Sequence, residues 1–224
     1  MPTTISKAVI ALTLGAALSG CTGTGLSKNA VGDLFGSAFG SGEGYPRIVA
    51  RGVDLDPAAR PGPAIFGDRW VRDLANGGEE RLGLSASRRR IHLSDADGCE
   101  ATRLMDWFSP SVAWSGCGNS DNWHTASAKV GVRGSLYPLR VGGRGRYERW
   151  ATAHTGKTSF RTTDCVVSDA VTLDLGRRRA DAFEVRCDDG RIERITWFAP
   201  NEGPIAYREA HQSRGLRQAW VVAD

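Results

Sequence analysis

The chain has 224 residues, 29 of them basic and 25 acidic, for a formal net charge of +4, and 41% are hydrophobic. That length and apolar content suit one ordinary domain with a real core. The 25 arginines and four lysines are scattered along the chain instead of gathered in a stripe, which argues against a nucleic-acid footprint.

Lys7 precedes an uncharged, weakly apolar run from Ala8 to Leu18, the layout of a signal peptide over residues 1–20. A membrane-spanning helix needs about twenty apolar residues, so the run is too short to be one. It ends in Leu18-Ser19-Gly20-Cys21, which resembles the lipobox of bacterial lipoproteins, where small residues admit the peptidase and the cysteine thiol receives the lipid. The resemblance implies a mature chain that begins at Cys21 and is held at a lipid membrane by its acyl groups. Each buried CH₂ contributes about 0.8 kcal/mol, so two or three chains anchor firmly where one does not. Thr22 in place of Asp, by resemblance to enterobacterial sorting, implies the outer membrane, facing the periplasm. Removing residues 1–20 takes away one lysine and no acid, leaving the mature chain nearly balanced in charge.

Residues 21–62 are rich in Gly, Ser, Ala and Pro, including Gly-Ser-Ala-Phe-Gly-Ser-Gly-Glu-Gly at 36–44, and read as a disordered, flexible tether. The domain proper is expected over 63–224. Short runs rich in β-branched and aromatic residues follow: Asp68 to Asp73, Arg90 to Leu93, Ala101 to Phe108 and Val112 to Cys117. The end of the chain is clearest, with Ala182 to Cys187, Arg191 to Phe198, Pro204 to His211 and Leu216 to Val222 separated by Asp-Asp-Gly, Pro-Asn-Glu-Gly and Ser-Arg-Gly. Those turn residues supply a positive or preset φ, so the four runs predict an antiparallel meander. At an offset near 90, Trp107-Phe108-Ser109-Pro110 matches Trp197-Phe198-Ala199-Pro200, and Arg88-Arg89-Arg90 matches Arg177-Arg178-Arg179. The expected fold is therefore all-β: an antiparallel sandwich or incomplete barrel built from two related meander units, about 63–135 and 136–224.

With Cys21 used for lipid, Cys99, Cys117, Cys165 and Cys187 remain, an even number in an exported chain, which favours two disulfides. Three pairings exist; Cys99 with Cys117 and Cys165 with Cys187 is preferred because each stays inside one unit. No CxxC or HxxxH spacing occurs and the four histidines are scattered, so no metal or other cofactor is expected. The stretch Leu136 to Gly142, with Trp197-Phe198-Ala199-Pro200 and Gly203 some fifty residues on, resembles a group of proteobacterial periplasmic domains of unknown function. It implies an exported β fold and brings no catalytic residue.

Ala151 to Thr158 satisfies a relaxed phosphate-loop pattern with Lys157 and Thr158 in the working positions. A phosphate loop joins a buried strand to a helix N-terminus, whereas here the flanks read as strand, so the segment is assigned to a hairpin turn and no nucleotide is expected. No Gly-x-Ser-x-Gly elbow is present, and bridged cysteines offer no nucleophile. The arginine triplets Arg88, Arg89, Arg90 and Arg177, Arg178, Arg179 are the candidate anion-binding residues, since guanidinium groups grip phosphate and carboxylate bidentately. The leading expectation is a non-enzymatic envelope lipoprotein whose β domain binds or assembles with an envelope protein, glycan or lipid. A carrier of acyl chains or another hydrophobic ligand is the second reading, and an envelope hydrolase the third.

Overall fold

Turn residues at short intervals cut the chain into strands of mostly five to ten residues, and pairing each strand with its neighbour is what satisfies their backbone groups. The computed structural model describes residues 44–87, 89–117 and 122–223. The lipobox with Cys21, most of the tether, and Arg88 lie outside the described residues.

In chain order the strands are β1 (Arg47–Arg51), β2 (Arg69–Asp73), β3 (Glu79–Ala86), β4 (Arg90–Ser94), β5 (Glu100–Leu104), β6 (Ala113–Ser115) and β7 (Ala126–Gly134). They continue as β8 (Arg144–Ala153), β9 (Thr158–Asp174), β10 (Arg179–Asp188), β11 (Ile192–Ala199), β12 (Gly203–His211) and β13 (Gly215–Val222). All pairings are antiparallel. From β2 to β13 each strand pairs with the next, and β13 then pairs with β2, with Trp220 opposite Asp73. Twelve strands therefore close into a barrel. Closure leaves no free edge among them.

The seventeen residues of β9 serve three partners. Its first half pairs with β8 as far as Val166, while Val171 to Asp174 pair with β1. Between these stretches the β9–β10 register shifts around Ser168, a bulge that bends the strand away from β8. The tight hairpins rest on glycines where the backbone needs positive φ. Gly156 (φ +82°) turns β8 into β9, and Gly190 (φ +78°) turns β10 into β11 with its N–H donated to the Asp188 carboxylate at 2.7 Å.

Apolar side chains pack on both faces of the C-terminal strands. Toward the barrel interior, Phe198 meets Phe108 at 5.6 Å between ring centres, and Val71, Ile91 and Tyr147 are also buried. On the outer face, Trp197 and Ile195 are fully buried, with Tyr45 edge-on to Trp197 at 6.1 Å. The strap runs on past β1: the Val53 N–H bonds the Ala170 carbonyl at 3.1 Å, and Ala58 exchanges two hydrogen bonds with Leu139. The remaining outer face bears ion pairs such as Arg81–Asp68, Arg133–Glu148 and Arg146–Asp164, beside the exposed aromatics Trp70, Trp150 and Phe160.

Three expectations are corrected. The sheet closes fully, so it is a barrel and neither a sandwich nor an incomplete barrel: β13 meets β2, while the expected hairpin around Gly156 pairs β8 with β9. The tether expected to reach residue 62 yields to structure earlier, because Arg47–Arg51 finds the free side of β9 and Tyr45 a tryptophan to cover. The repeat fails at its marker. Trp197 lies within β11, but β5 stops at Leu104 and Trp107 lies in the turn that follows. There the Asp106 N–H bonds the Leu104 carbonyl at 2.6 Å and the Asp106 carboxylate takes the Phe108 N–H at 3.1 Å, a local closure that ends the strand. Neither expected unit closes alone, since the β7–β8 and β13–β2 pairings join one to the other.

Candidate functional site in the barrel lumen

Strand alternation decides what lines the interior. The register sets Ala101 opposite Trp114, Thr196 opposite Tyr207, Arg194 opposite Glu209 and Tyr207 opposite Trp220, so these side chains share the inner face. One end is stoppered by the β5–β6 turn. Trp107 is 2% exposed; its indole N–H donates to the Thr196 hydroxyl at 3.3 Å, and Phe66 stacks on it at 6.2 Å. Below it the buried Asp106 carboxylate accepts the Tyr147 hydroxyl at 2.9 Å. Burial raises the Asp106 pKa above the ordinary carboxylate value, and the Tyr147 and Phe108 hydrogen bonds only partly oppose this.

Above the plug lies a cavity of about 1010 Å³ at the end of the barrel that carries the β2–β3, β4–β5 and β12–β13 hairpins. Its aromatic lining is Trp107, Trp114, Tyr207 and Trp220; its cations are Arg103, Arg149 and Arg217. Asp73, Glu80, Asp95 and Asp97 line the part beside the hairpins. There burial, together with repulsion from Asp73, Asp95 and Asp97, raises the pKa of Glu80. Deeper in, Glu209 accepts Arg194 at 2.9 Å, Arg217 at 2.8 Å and the Tyr207 hydroxyl at 2.9 Å. Burial opposes that charge, but the two guanidiniums and the hydroxyl outweigh it and hold the Glu209 pKa below its ordinary value.

The lumen is built from residues that the sequence reading passed over. Arg103 and Arg149 sit at inward positions of β5 and β8, paired in register with Ile91 and Val130. An arginine in phase with apolar residues along a strand is the signal that identifies them, and it becomes meaningful only once closure makes one face an interior. The arginine triplets are not brought to the cavity. Arg89 and Arg90 lie at the β3–β4 hairpin and Arg177 to Arg179 at the β9–β10 hairpin, where Arg178 grips Glu202 at 3.0 and 2.6 Å. The cysteines are joined as Cys99–Cys117, at the cavity wall, and Cys165–Cys187, directly across β9 and β10. Lys157 is exposed in the β8–β9 turn, and Thr158 opens a strand instead of a helix. Among the described residues, no three His, Cys, Asp or Glu side chains cluster to hold a metal.

These features define a class: a closed antiparallel β-barrel with a plugged base and a charged, aromatic-lined lumen. No family model and no curated protein matches the chain. Among solved structures it is similar to the crystal structure of the hypothetical lipoprotein YmcC from Escherichia coli (K12), at 10% identity and a TM-score of 0.41, over 89% of this chain and 99% of that one.

Proposed function

We propose that the chain is an envelope lipoprotein, anchored through acylated Cys21 and facing the periplasm, whose barrel is a binding module that takes a small ligand into its lumen without chemistry of its own. The observation that carries this reading is the cavity of about 1010 Å³ held above the Trp107 plug. Its size suits a small organic ligand, and aromatic walls with a few placed polar groups are how such sites fix orientation. The lining does not favour the acyl-chain carrier. A hydrocarbon tail in this lumen would strip water from Arg103, Arg149 and the rim carboxylates without replacing their hydrogen bonds.

The test is native mass spectrometry of the chain purified from its own envelope. A bound small-molecule mass is expected, and Ala101→Trp, which fills the lumen opposite Trp114, should lose it. The same mass retained by Ala101→Trp would put the ligand elsewhere and refute the reading. Cys21→Ser should release the protein from the membrane fraction, and its retention there would refute the anchor.

A further inference from the structure

We propose that Arg103 and Arg149 form an oxyanion receptor in the lumen, which takes the carboxylate or phosphate of a small ligand whose body has a flat face. The inference deepens the lumen-binding reading and rests on it. It begins from charges that lack partners. Arg194 and Arg217 both reach Glu209, and Arg194 also lies 3.7 Å from Asp189. Among the described residues neither Arg149 nor Arg103 makes a carboxylate ion pair: Asp189 attracts Arg149 and Glu209 attracts Arg103 only from beyond contact distance, and Arg103 spends hydrogen bonds on the Trp107 carbonyl at 2.7 Å and on the Tyr207 hydroxyl. The Nε atoms of both are buried and make no hydrogen bond.

A buried guanidinium normally has a carboxylate or several carbonyls around it, because an unpaired charge loses its hydration without compensation. These two instead lie over indole rings, Arg103 at 5.1 Å from Trp107 and Arg149 at 5.3 Å from Trp114. Cation–π contact fixes the guanidinium plane; Arg149 keeps its fork and Arg103 the N–H groups that Trp107 and Tyr207 do not take, and such groups match an oxyanion bidentately. Burial and repulsion from Arg194, Arg161 and Arg103, only partly offset by attraction to Asp189, take the Arg149 pKa down to about 10, so it stays charged at neutral pH. Both arginines line this cavity, and both also border a smaller one of about 120 Å³ with Asp189, Arg194 and Glu209.

The hairpin end of the cavity narrows the ligand further. Asp73, Glu80, Asp95 and Asp97 lie there, so a second negative group at that end is repelled. The ligand is therefore one that bears a single oxyanion, held inside, with a neutral or cationic far end among the rim carboxylates. Trp114, partly exposed on the cavity wall, supplies a surface for its flat face.

Calorimetric titration of the full chain at constant ionic strength tests this with three probes: benzoate, phenyl phosphate and benzyl alcohol. Binding of either or both anions at least about tenfold tighter than the alcohol is expected, and the tighter anion identifies the group. Arg149→Gln and, independently, Arg103→Gln should each weaken the anions about tenfold or more and leave the alcohol unchanged, with melting curves showing that the variants fold. Arg149→Lys should recover only part of the loss, since it keeps the charge but not the fork. If all three probes bind alike and Ala101→Trp abolishes all of them, the lumen binds but the oxyanion receptor is refuted. If anion binding survives Ala101→Trp or both glutamine variants, or if no anion binds, the receptor is refuted as well; survival in Ala101→Trp also counts against the lumen.

Discussion

On the outer face of β10, the Glu184 carboxylate is buried beneath Trp197 and meets four donors. The Ser168 hydroxyl and Arg186 Nε each lie at 2.9 Å, the Trp197 indole at 3.2 Å and Arg51 at 3.4 Å. On the inner face of β8, the Arg149 guanidinium lies over an aromatic ring and makes no ion pair among the described residues. Both charges are withdrawn from water by the same barrel wall, but only one has a complete set of partners. A buried charge enclosed on every side is part of the scaffold, because adding or removing a group there breaks several bonds. A buried charge left with free donors beside a cavity has capacity for a group that is not part of the chain. The strapped outer face therefore holds the barrel together, and the lumen is what it holds open.

The sharpest way to break that comparison is at Trp197. It is fully buried between Tyr45 and the Glu184 cluster, so Trp197→Ala should cost about 3–5 kcal/mol in denaturant unfolding. A loss below about 1 kcal/mol would mean that the outer face is no core. Next comes the Cys165–Cys187 bridge, which ties β9 to β10 on the inner face across 22 residues. Its removal by a double Cys→Ala change should cost about 3 kcal/mol in the chain-entropy model, read as a lower melting temperature, and an unchanged melting temperature would count against any cross-linking role.

A smaller effect is expected inside the lumen at Glu209. Its folded pKa lies below the ordinary 4.5, so the unfolded chain binds the extra proton, and the stabilisation is present above that pH and lost as pH falls through the folded value. Glu209→Gln should cost about 1.5–3 kcal/mol at pH 7, the range for hydrogen bonds to a charged group, and should flatten the acid limb of a stability-versus-pH curve. An acid limb identical to that of the parent chain would remove Glu209 from the lumen's charge balance.

The strands of the C-terminal half were legible because Asp-Asp-Gly, Pro-Asn-Glu-Gly and Ser-Arg-Gly state where each run must turn, and β10 to β13 follow those breaks. Closure was not legible. The barrel shuts where β13 meets β2, with Trp220 opposite Asp73, a long-range pairing with no local residue code. The paired Trp-Phe-x-Pro segments suggested a repeat because their side chains are alike, yet the Asp106 turn sends one into the plug while its counterpart stays in a strand. The site failed to show for a related reason. Arginine triplets are conspicuous in sequence but lie at hairpins, whereas single arginines such as Arg103 and Arg149 gain meaning only when alternation around a closed barrel points them inward together.

The smallest expected effect separates the two kinds of lumen charge. Arg149→Gln removes a cation that makes no ion pair with any described residue, just as Glu209→Gln removes an anion that makes two. The substitution loses a cation–π contact with Trp114, worth about 0.5–1 kcal/mol at ordinary sites, and some packing of the arginine stem. Against this it relieves the burial of a charge without an ion pair and its repulsion by Arg194, Arg161 and Arg103, less the attraction of Asp189. The terms are of similar size and opposite sign, so in a buffer without carboxylate or phosphate the net change should fall within about 0.5 kcal/mol. The same pair of proteins compared in benzoate or phenyl phosphate should diverge, because a bound ligand stabilises only the chain that can hold it. If Arg149→Gln instead costs as much as Glu209→Gln in the anion-free buffer, Arg149 is a structural cation with its partners in place, and the contrast between a satisfied outer face and an unsatisfied lumen does not hold.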